Sequence, residues 1–118
     1  AASIANDGEM VVPYIVDEIY DQNGASIYKG QKLSQGIVMT PDSAQQMRVL
    51  MEQTVLAGTS RRSFASLVRD RKFSEVEMGG KTGHLTGDNP KGRTDWFVGY
   101  AHDGEKKIAV AAITVNKE

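Results

Sequence analysis

The sequence predicts an α+β domain, with an antiparallel sheet and a helix packed on one of its faces. Three observations carry this expectation. Residues 41 to 57 repeat apolar side chains at helical spacing. Three later stretches, roughly 76 to 84, 94 to 101 and 107 to 115, have the composition of strands. The 12 glycines and 3 prolines mark many turns, which suits a sheet with short connections.

Taken in order, residues 1 to 6 read as the end of a helix stopped by Asn6-Asp7-Gly8. A chain that opens in the last turn of a helix is expected to continue upstream. Met10 to Tyr20 has the composition of an extended segment, through Val11, Val12, Ile15, Val16, Ile19 and Tyr20. Pro13 places it at an edge or makes it irregular. Asp21-Gln22-Asn23-Gly24 is a turn, since Asn-Gly is the strongest short hairpin signal, and Ala25 to Tyr28 is its returning strand. Lys29 to Lys32 is a polar connection. For the helix of 41 to 57, Thr40 is the expected N-cap, Pro41 takes the first position and Asp42 faces the positive end of the dipole. Ala44, Met47, Leu50, Met51 and Val55 form its apolar face, and Gly58 stops it. Residues 61 to 71 are basic, with Phe64, Leu67 and Val68 as a small apolar set, and read as a loop with one or two helical turns.

Residues 85 to 93, with Gly87, Pro90 and Gly92, read as a polar loop between the first two of the three final strands. His102 to Lys106 is the hairpin turn before the last strand. Ile108 to Val115 is apolar on both faces and needs cover on both.

Bulk composition excludes several classes of function. At 118 residues, 40% hydrophobic and 25% charged, the chain is ordinary globular material for one domain or a piece of one. A net charge of -1 gives no electrostatic case for nucleic acid or an anionic membrane. No apolar run approaches the roughly 20 residues that span a bilayer. The first residues carry neither the basic start nor the long apolar stretch of a secretory signal. With no cysteine, disulfides, thiolate metal sites and a thiol nucleophile are all excluded.

The chemistry concentrates in Glu77-Met78-Gly79-Gly80-Lys81-Thr82-Gly83-His84 and, a dozen residues on, Asp95-Trp96-Phe97-Val98-Gly99-Tyr100. A cation and a hydroxyl on a strand flanked by glycines suit capture of a carboxylate. Gly80-Lys81-Thr82 imitates the end of a phosphate-binding P-loop, but the required earlier glycine is Glu75, and Glu75 and Glu77 repel phosphate. His84 and His102 are far apart and lack a partner at metal-ligand spacing, so no metal is expected. Along the aromatic strand, Trp96 and Val98 share one face and Phe97 and Gly99 the other, an arrangement that reads as core packing. Lys81-Thr82-Gly83 alone is a weak signal, since a lysine on a strand is most often simply solvated.

A series of motifs in chain order strengthens it. Ala5-Asn6-Asp7-Gly8 with Pro13, the hairpin of Asp21 to Gly24, Thr54-Val55-Leu56-Ala57-Gly58-Thr59 at a helix end, Gly80-Lys81-Thr82-Gly83, and Trp96-Phe97-Val98-Gly99-Tyr100 together resemble the penicillin-binding protein family. These are the serine D,D-transpeptidases and carboxypeptidases, with the β-lactamases as relatives. The resemblance implies a partial β-lactamase/transpeptidase-like fold, in which residues 1 to 118 form a single unit from the C-terminal part of a transpeptidase domain. It also implies acyl transfer: a serine attacks the penultimate D-Ala carbonyl of a peptidoglycan stem peptide, and an amine or water then releases the acyl group. The implied partners are the stem peptide and β-lactams, with no cofactor. The implied location is extracytoplasmic, in the periplasm or on the outer face of the cytoplasmic membrane.

By motif match, Lys81 supplies positive potential beside the substrate carboxylate and Thr82 gives it a hydroxyl. Gly83 lets the strand backbone come close to substrate. The backbone N–H of His84 is half of the oxyanion hole. The family more often has Thr or Ser at that position, so His84 bears on substrate preference and β-lactam affinity.

The family also needs S-x-x-K, which carries the nucleophile, and S-x-N, both ahead of K-T-G. Ser26-Ile27-Tyr28-Lys29 matches the first literally, but it follows an Asn-Gly turn, in a strand where the first and fourth residues point to opposite faces. No S-x-N occurs between it and Lys81. The chain is therefore expected to hold one wall of the cleft without the nucleophile and to be inactive alone. Self-association through uncovered sheet is also expected. Two other classes stay open: a noncatalytic module that binds a peptide carboxylate, and an inert structural fragment.

Overall fold

The computed structural model describes residues 1–88 and 91–117. Helix α1 (Ala2–Ala5) leads to β1 (Glu9–Val11), β2 (Glu18–Tyr20), β3 (Ser26–Lys29) and β4 (Ser34–Ile37). Helices α2 (Pro41–Leu56) and α3 (Arg61–Arg69) and a 3-10 turn (Arg71–Phe73) follow. The chain then runs through β5 (Glu77–Asp88), β6 (Lys91–His102) and β7 (Lys107–Lys117).

Local chemistry sets the ends of the helices. The Thr40 side chain accepts from the Ser43 N–H, and Pro41 opens α2 as expected. At the other end the Gly58 N–H donates to the Gln53 carbonyl at 2.7 Å. Gly58 keeps a negative φ; its lack of a side chain matters because a Cβ there would stand 2.8 Å from Thr54 Cα. Helix α1 closes through left-handed Asp7 (φ 54°) and Gly8 (φ 92°), with the Gly8 N–H on the Ser3 carbonyl at 2.8 Å.

Residues 61 to 71 are a correction. They hold a nine-residue helix and a short 3-10 turn, not a loop with one or two turns. The helix is stabilised by a contact distant in sequence: Phe64 lies against Phe97, with ring centroids 5.5 Å apart. The stretch from Met10 to Tyr20 is likewise two strands, not one segment. Strand β1 pairs with β4, and β2 pairs with β3. Strand β4 escaped the sequence reading because Ser34, Gln35 and left-handed Gly36 (φ 103°) have no strand signature.

The hairpin of β2 and β3 does turn at Asn23-Gly24, with only Gly24 left-handed (φ 82°) and a register shift beside it. The Asp21 carboxylate organises it by accepting from the N–H groups of Asn23 (2.8 Å) and Ala25 (2.9 Å). The polar loop expected at 85 to 93 is largely strand, since β5 runs on to Asp88 and β6 begins at Lys91. The part of that expectation concerning Pro90 lies outside the described residues.

Strands β5, β6 and β7 form one antiparallel sheet in that order. Alternation places Gly79, Lys81 and Gly83 on one face with Tyr100, Val98 and Trp96. Gly80, Thr82 and His84 lie on the other face with Gly99, Phe97 and Asp95. Tyr100, 3% exposed, meets Ala5 and Met51, and its hydroxyl donates to the Arg48 carbonyl at 3.3 Å, so α1 and α2 cover the first face. Burial, followed by the Glu52 and Glu77 carboxylates, pushes the Tyr100 phenol far above its ordinary range and keeps it a donor. The Phe64–Phe97 contact brings α3 to the second face.

Asp7 ties α1 to the rest, pairing with Arg48 at 2.7 Å and Lys107 at 3.3 Å. Hydrogen bonds from Arg48 first and Lys107 second hold its carboxyl below the ordinary carboxylate range.

The two-sided cover expected for β7 is absent over most of its length. Ile108, Val110, Ile113 and Val115 remain 48–60% exposed. The chain exposes 9109 Å², against about 6,300 Å² for a monomeric globule of its mass. Its Cα radius of gyration is 17.9 Å, against about 13.5 Å for a compact domain of this length. Among the described residues the buried apolar set is Ala5, Ala44, Met51, Val55 and Tyr100.

Candidate carboxylate-binding cleft on strand β5

Strand β5 lies at the edge of its sheet, so part of its backbone hydrogen-bonding capacity is unused by β6. A cavity of about 300 Å³ spans β5 and β6, lined by Thr59, Thr82, Gly83, His84, Arg93, Asp95 and Trp96. Three of the four residues singled out from the sequence, Thr82, Gly83 and His84, thus meet in one place. Lys81 does not line the cavity. Its Cβ leaves the opposite face of β5, and its ammonium donates to the Thr82 carbonyl at 2.5 Å. The cation sits at the strand edge next to the cleft rather than within it.

The glycines of this strand divide into two kinds. A Cβ on Gly79 would lie 2.6 Å from the Tyr100 ring, and one on Gly99 2.7 Å from Phe97. A Cβ on Gly80 would strike the Phe97 ring. Those three are required by aromatic packing. A Cβ on Gly83 would meet only Trp96 Cβ, at 3.9 Å, an ordinary contact. Nothing inside the protein demands glycine there, whereas a ligand lying along the strand would.

Sequence reasoning missed Thr59, Arg93 and Asp95 as site residues. Thr59 Oγ1 lies 2.8 Å from Thr82 Oγ1, a contact across 23 positions that no local pattern encodes. Arg93 donates to Asp95 through Nε at 2.8 Å and reaches the same oxygen with Nη2 at 2.7 Å. Their spacing of two on a strand was the available signal. This pairing offsets the carboxylate nearest the cleft, and among the described residues no carboxylate pairs with Lys81, so the local charge favours an anionic ligand. Trp96, read from the sequence as core, is 43% exposed and forms a wall of the cleft. The core reading holds for Tyr100, whereas Phe97 is half-buried against Phe64.

The other candidates have different surroundings. His102 Nε2 pairs with Glu77 at 2.9 Å, its Nδ1 accepts from the Gly104 N–H at 3.3 Å, and its ring stacks on Tyr100. Among the described residues no three His, Asp or Glu side chains converge as metal ligands. Ser26 lies exposed in β3, with its hydroxyl directed at the Tyr28 carbonyl 3.5 Å away, and Lys29 sits in register with Glu18. The pair lies on a hairpin strand, not on a helix.

The three-stranded sheet with its covering helices and the K-T-G sequence on β5 have counterparts among known proteins. The family described as "Penicillin binding protein transpeptidase domain" matches residues 1–118, and the chain belongs to it. Penicillin-binding protein 1B of Haemophilus influenzae is 33% identical over 97 residues, covering 82% of this chain and 11% of that protein. Penicillin-binding protein 1A of Neisseria lactamica is 33% identical over 105 residues, covering 84% of this chain and 12% of that protein.

Among solved structures, penicillin-binding protein A from M. tuberculosis, as its imipenem acyl-enzyme complex, superposes with a TM-score of 0.72 at 25% identity. That match covers all of this chain and 25% of the other. The D,D-transpeptidase domain of a peptidoglycan glycosyltransferase from Eggerthella lenta gives 0.71 at 26% identity, covering 98% and 25%. The chain therefore spans about an eighth of the length of these curated relatives and a quarter of the matched structures.

Proposed function

We propose that this chain forms the K-T-G wall of a peptidoglycan D,D-transpeptidase site, which cross-links stem peptides through a serine acyl-enzyme and is acylated by β-lactams. The observation that carries the reading is the meeting of Thr82, Gly83 and His84 with Thr59 at one cleft, with Lys81 beside it. Lys81 and the Thr82 hydroxyl take the substrate or penicillin carboxylate. Gly83 leaves room for the ligand backbone along β5. The His84 N–H donates to the developing oxyanion, a contact of a kind worth about 3 kcal/mol in the transition state. The imipenem complex of the M. tuberculosis protein supports a β-lactam in such a cleft.

The nucleophile lies outside residues 1 to 118 in this reading, and these residues alone have no activity. Support comes from the hairpin setting of Ser26 and from the exposed surface, which exceeds that of a closed globule by almost half. The site works extracytoplasmically, where its polymer substrate is assembled. Intact-protein mass spectrometry after incubation with benzylpenicillin tests the proposal. The whole gene product should gain one penicillin on a serine outside this segment, and the isolated chain should gain none. An adduct mapping to Ser26, or a whole protein that never acylates, would refute it.

A further inference from the structure

Thr59 has no place in the roles so far assigned, yet its hydroxyl touches the one side chain in the cleft that is to bind the carboxylate. Its position is fixed by the end of α2. The Gly58 N–H donates to the Gln53 carbonyl at 2.7 Å, and the Ser60 N–H donates to the Thr54 carbonyl at 3.0 Å. Ser60 is buried, and the Arg61 N–H closes back on the Gly58 carbonyl at 3.2 Å. The residues on both sides of Thr59 are thus locked to the helix, and Thr59 projects from a rigid corner rather than from a free loop. Its Oγ1 reaches Thr82 Oγ1 at 2.8 Å.

A hydroxyl has one proton to give and two lone pairs to accept with. If Thr82 gives its proton to Thr59, it has none for a ligand. If Thr59 donates to Thr82, the Thr82 proton is free to point into the cleft. A carboxylate can only accept, so its arrival selects the second direction and produces a chain from Thr59 through Thr82 to the carboxylate. Each donor in such a chain polarises the next. The contact also holds Thr82 in one rotamer before the ligand arrives, which removes part of the ordering cost of binding.

We propose that Thr59 is a positioning residue, which orients the Thr82 hydroxyl and its proton toward the carboxylate of the stem peptide or β-lactam. The inference rests on the transpeptidase reading above. It also explains a pairing in the sequence. Gly58 is required because a side chain would collide with Thr54, and the tight corner it permits is what presents the following hydroxyl to β5.

The test measures the second-order acylation rate of the whole gene product with two β-lactams, a penicillin with its free carboxylate and the methyl ester of the same penicillin. Thr59→Val keeps the shape and removes the hydroxyl. With the free carboxylate, T59V should acylate about tenfold more slowly than wild type, the scale of one lost hydrogen bond. Thr59→Ser should return to within about threefold of wild type, since it restores the donor. With the ester, whose neutral carbonyl is a weaker acceptor, the loss in T59V should shrink to less than about threefold. In a Thr82→Val background, T59V should add less than about twofold, because the two hydroxyls act as one unit.

Equal rates for T59V and wild type on the carboxylate would overturn the proposal. An equal loss on acid and ester would show that Thr59 serves the fold alone. If T59V does not fold, Thr59→Ala, which also removes the hydroxyl, is measured on the same two compounds and decides between the same outcomes. A wild-type protein that reacts with neither compound removes the transpeptidase reading and this proposal together, whereas an indifferent T59V in an active protein removes this proposal alone.

Discussion

A single methyl group added at two positions four residues apart on β5 should have opposite consequences. At Gly79 the new Cβ would lie 2.6 Å from Tyr100 Cε1 and 2.8 Å from Cζ and the hydroxyl oxygen. Tyr100 cannot retreat easily, because it is 3% exposed and packed on Ala5 and Met51. Overpacking of this kind costs about 1–3 kcal/mol. Displacing the ring also forfeits the hydroxyl's bond to the Arg48 carbonyl, about another 1 kcal/mol. The sum is about 2–4 kcal/mol, or a fall of about 5–15 °C in Tm for a domain of transpeptidase size.

At Gly83 the nearest neighbour of the new Cβ is Trp96 Cβ at 3.9 Å, an ordinary contact. Gly83→Ala should leave Tm unchanged or raise it slightly, since alanine restricts the unfolded chain. Gly83 lines the cleft between Thr82 and His84, so on the transpeptidase reading acylation should fall about a hundredfold, the scale of a small misplacement at a reacting centre. Thermal melts and fluorescent-penicillin labelling of the whole gene product measure both. If Gly83→Ala melts as early as Gly79→Ala, or labels at the wild-type rate, the division of these glycines into packing and site residues is wrong.

Asp7 provides a pH test. Its carboxyl is held below the ordinary value by Arg48 first and Lys107 second, so its contribution to stability is present above the unfolded-state pKa and is lost as pH falls through the lower folded-state value. Asp7→Asn should therefore cost stability at pH 7 and converge on wild type only once the pH has fallen below the lowered folded-state value. Asp7→Ala should be worse by about 1 kcal/mol at every pH, because alanine tolerates the left-handed φ of 54° less well. Convergence of all three proteins at low pH would contradict that backbone argument. Tyr100→Phe should cost about 1 kcal/mol through loss of the hydroxyl's bond to the Arg48 carbonyl, and an unchanged Tm would show that the bond contributes nothing. The isolated chain should associate with rising concentration in sedimentation velocity through the exposed apolar residues of β7, and a single monomeric boundary at high concentration would oppose this.

Wherever the deciding interactions are local, the sequence alone determined the outcome. The Thr40 cap and Pro41 fix the start of α2, the Asp7-Gly8 pair ends α1, and Asp21 with Gly24 builds the first hairpin, each within a few residues. The order of motifs likewise made the family legible, and it pointed to Lys81, Thr82, Gly83 and His84, of which the last three line one cavity. Tertiary structure decided what depends on partners remote in the chain. Helix α3 has a mixed, strongly basic sequence and is held against the sheet through Phe97, so its own residues read as loop. Strand β4 exists through its pairing with β1. Trp96 and Tyr100 point to the same face, yet one is half exposed and the other buried, because α1 and α2 cover only part of that face. Thr59 joins the cleft because the chain turns at Gly58 and meets β5 again. Caps and turns are encoded by neighbouring residues, whereas the covering of a sheet face and the closing of a cleft are set by whichever distant segment arrives there.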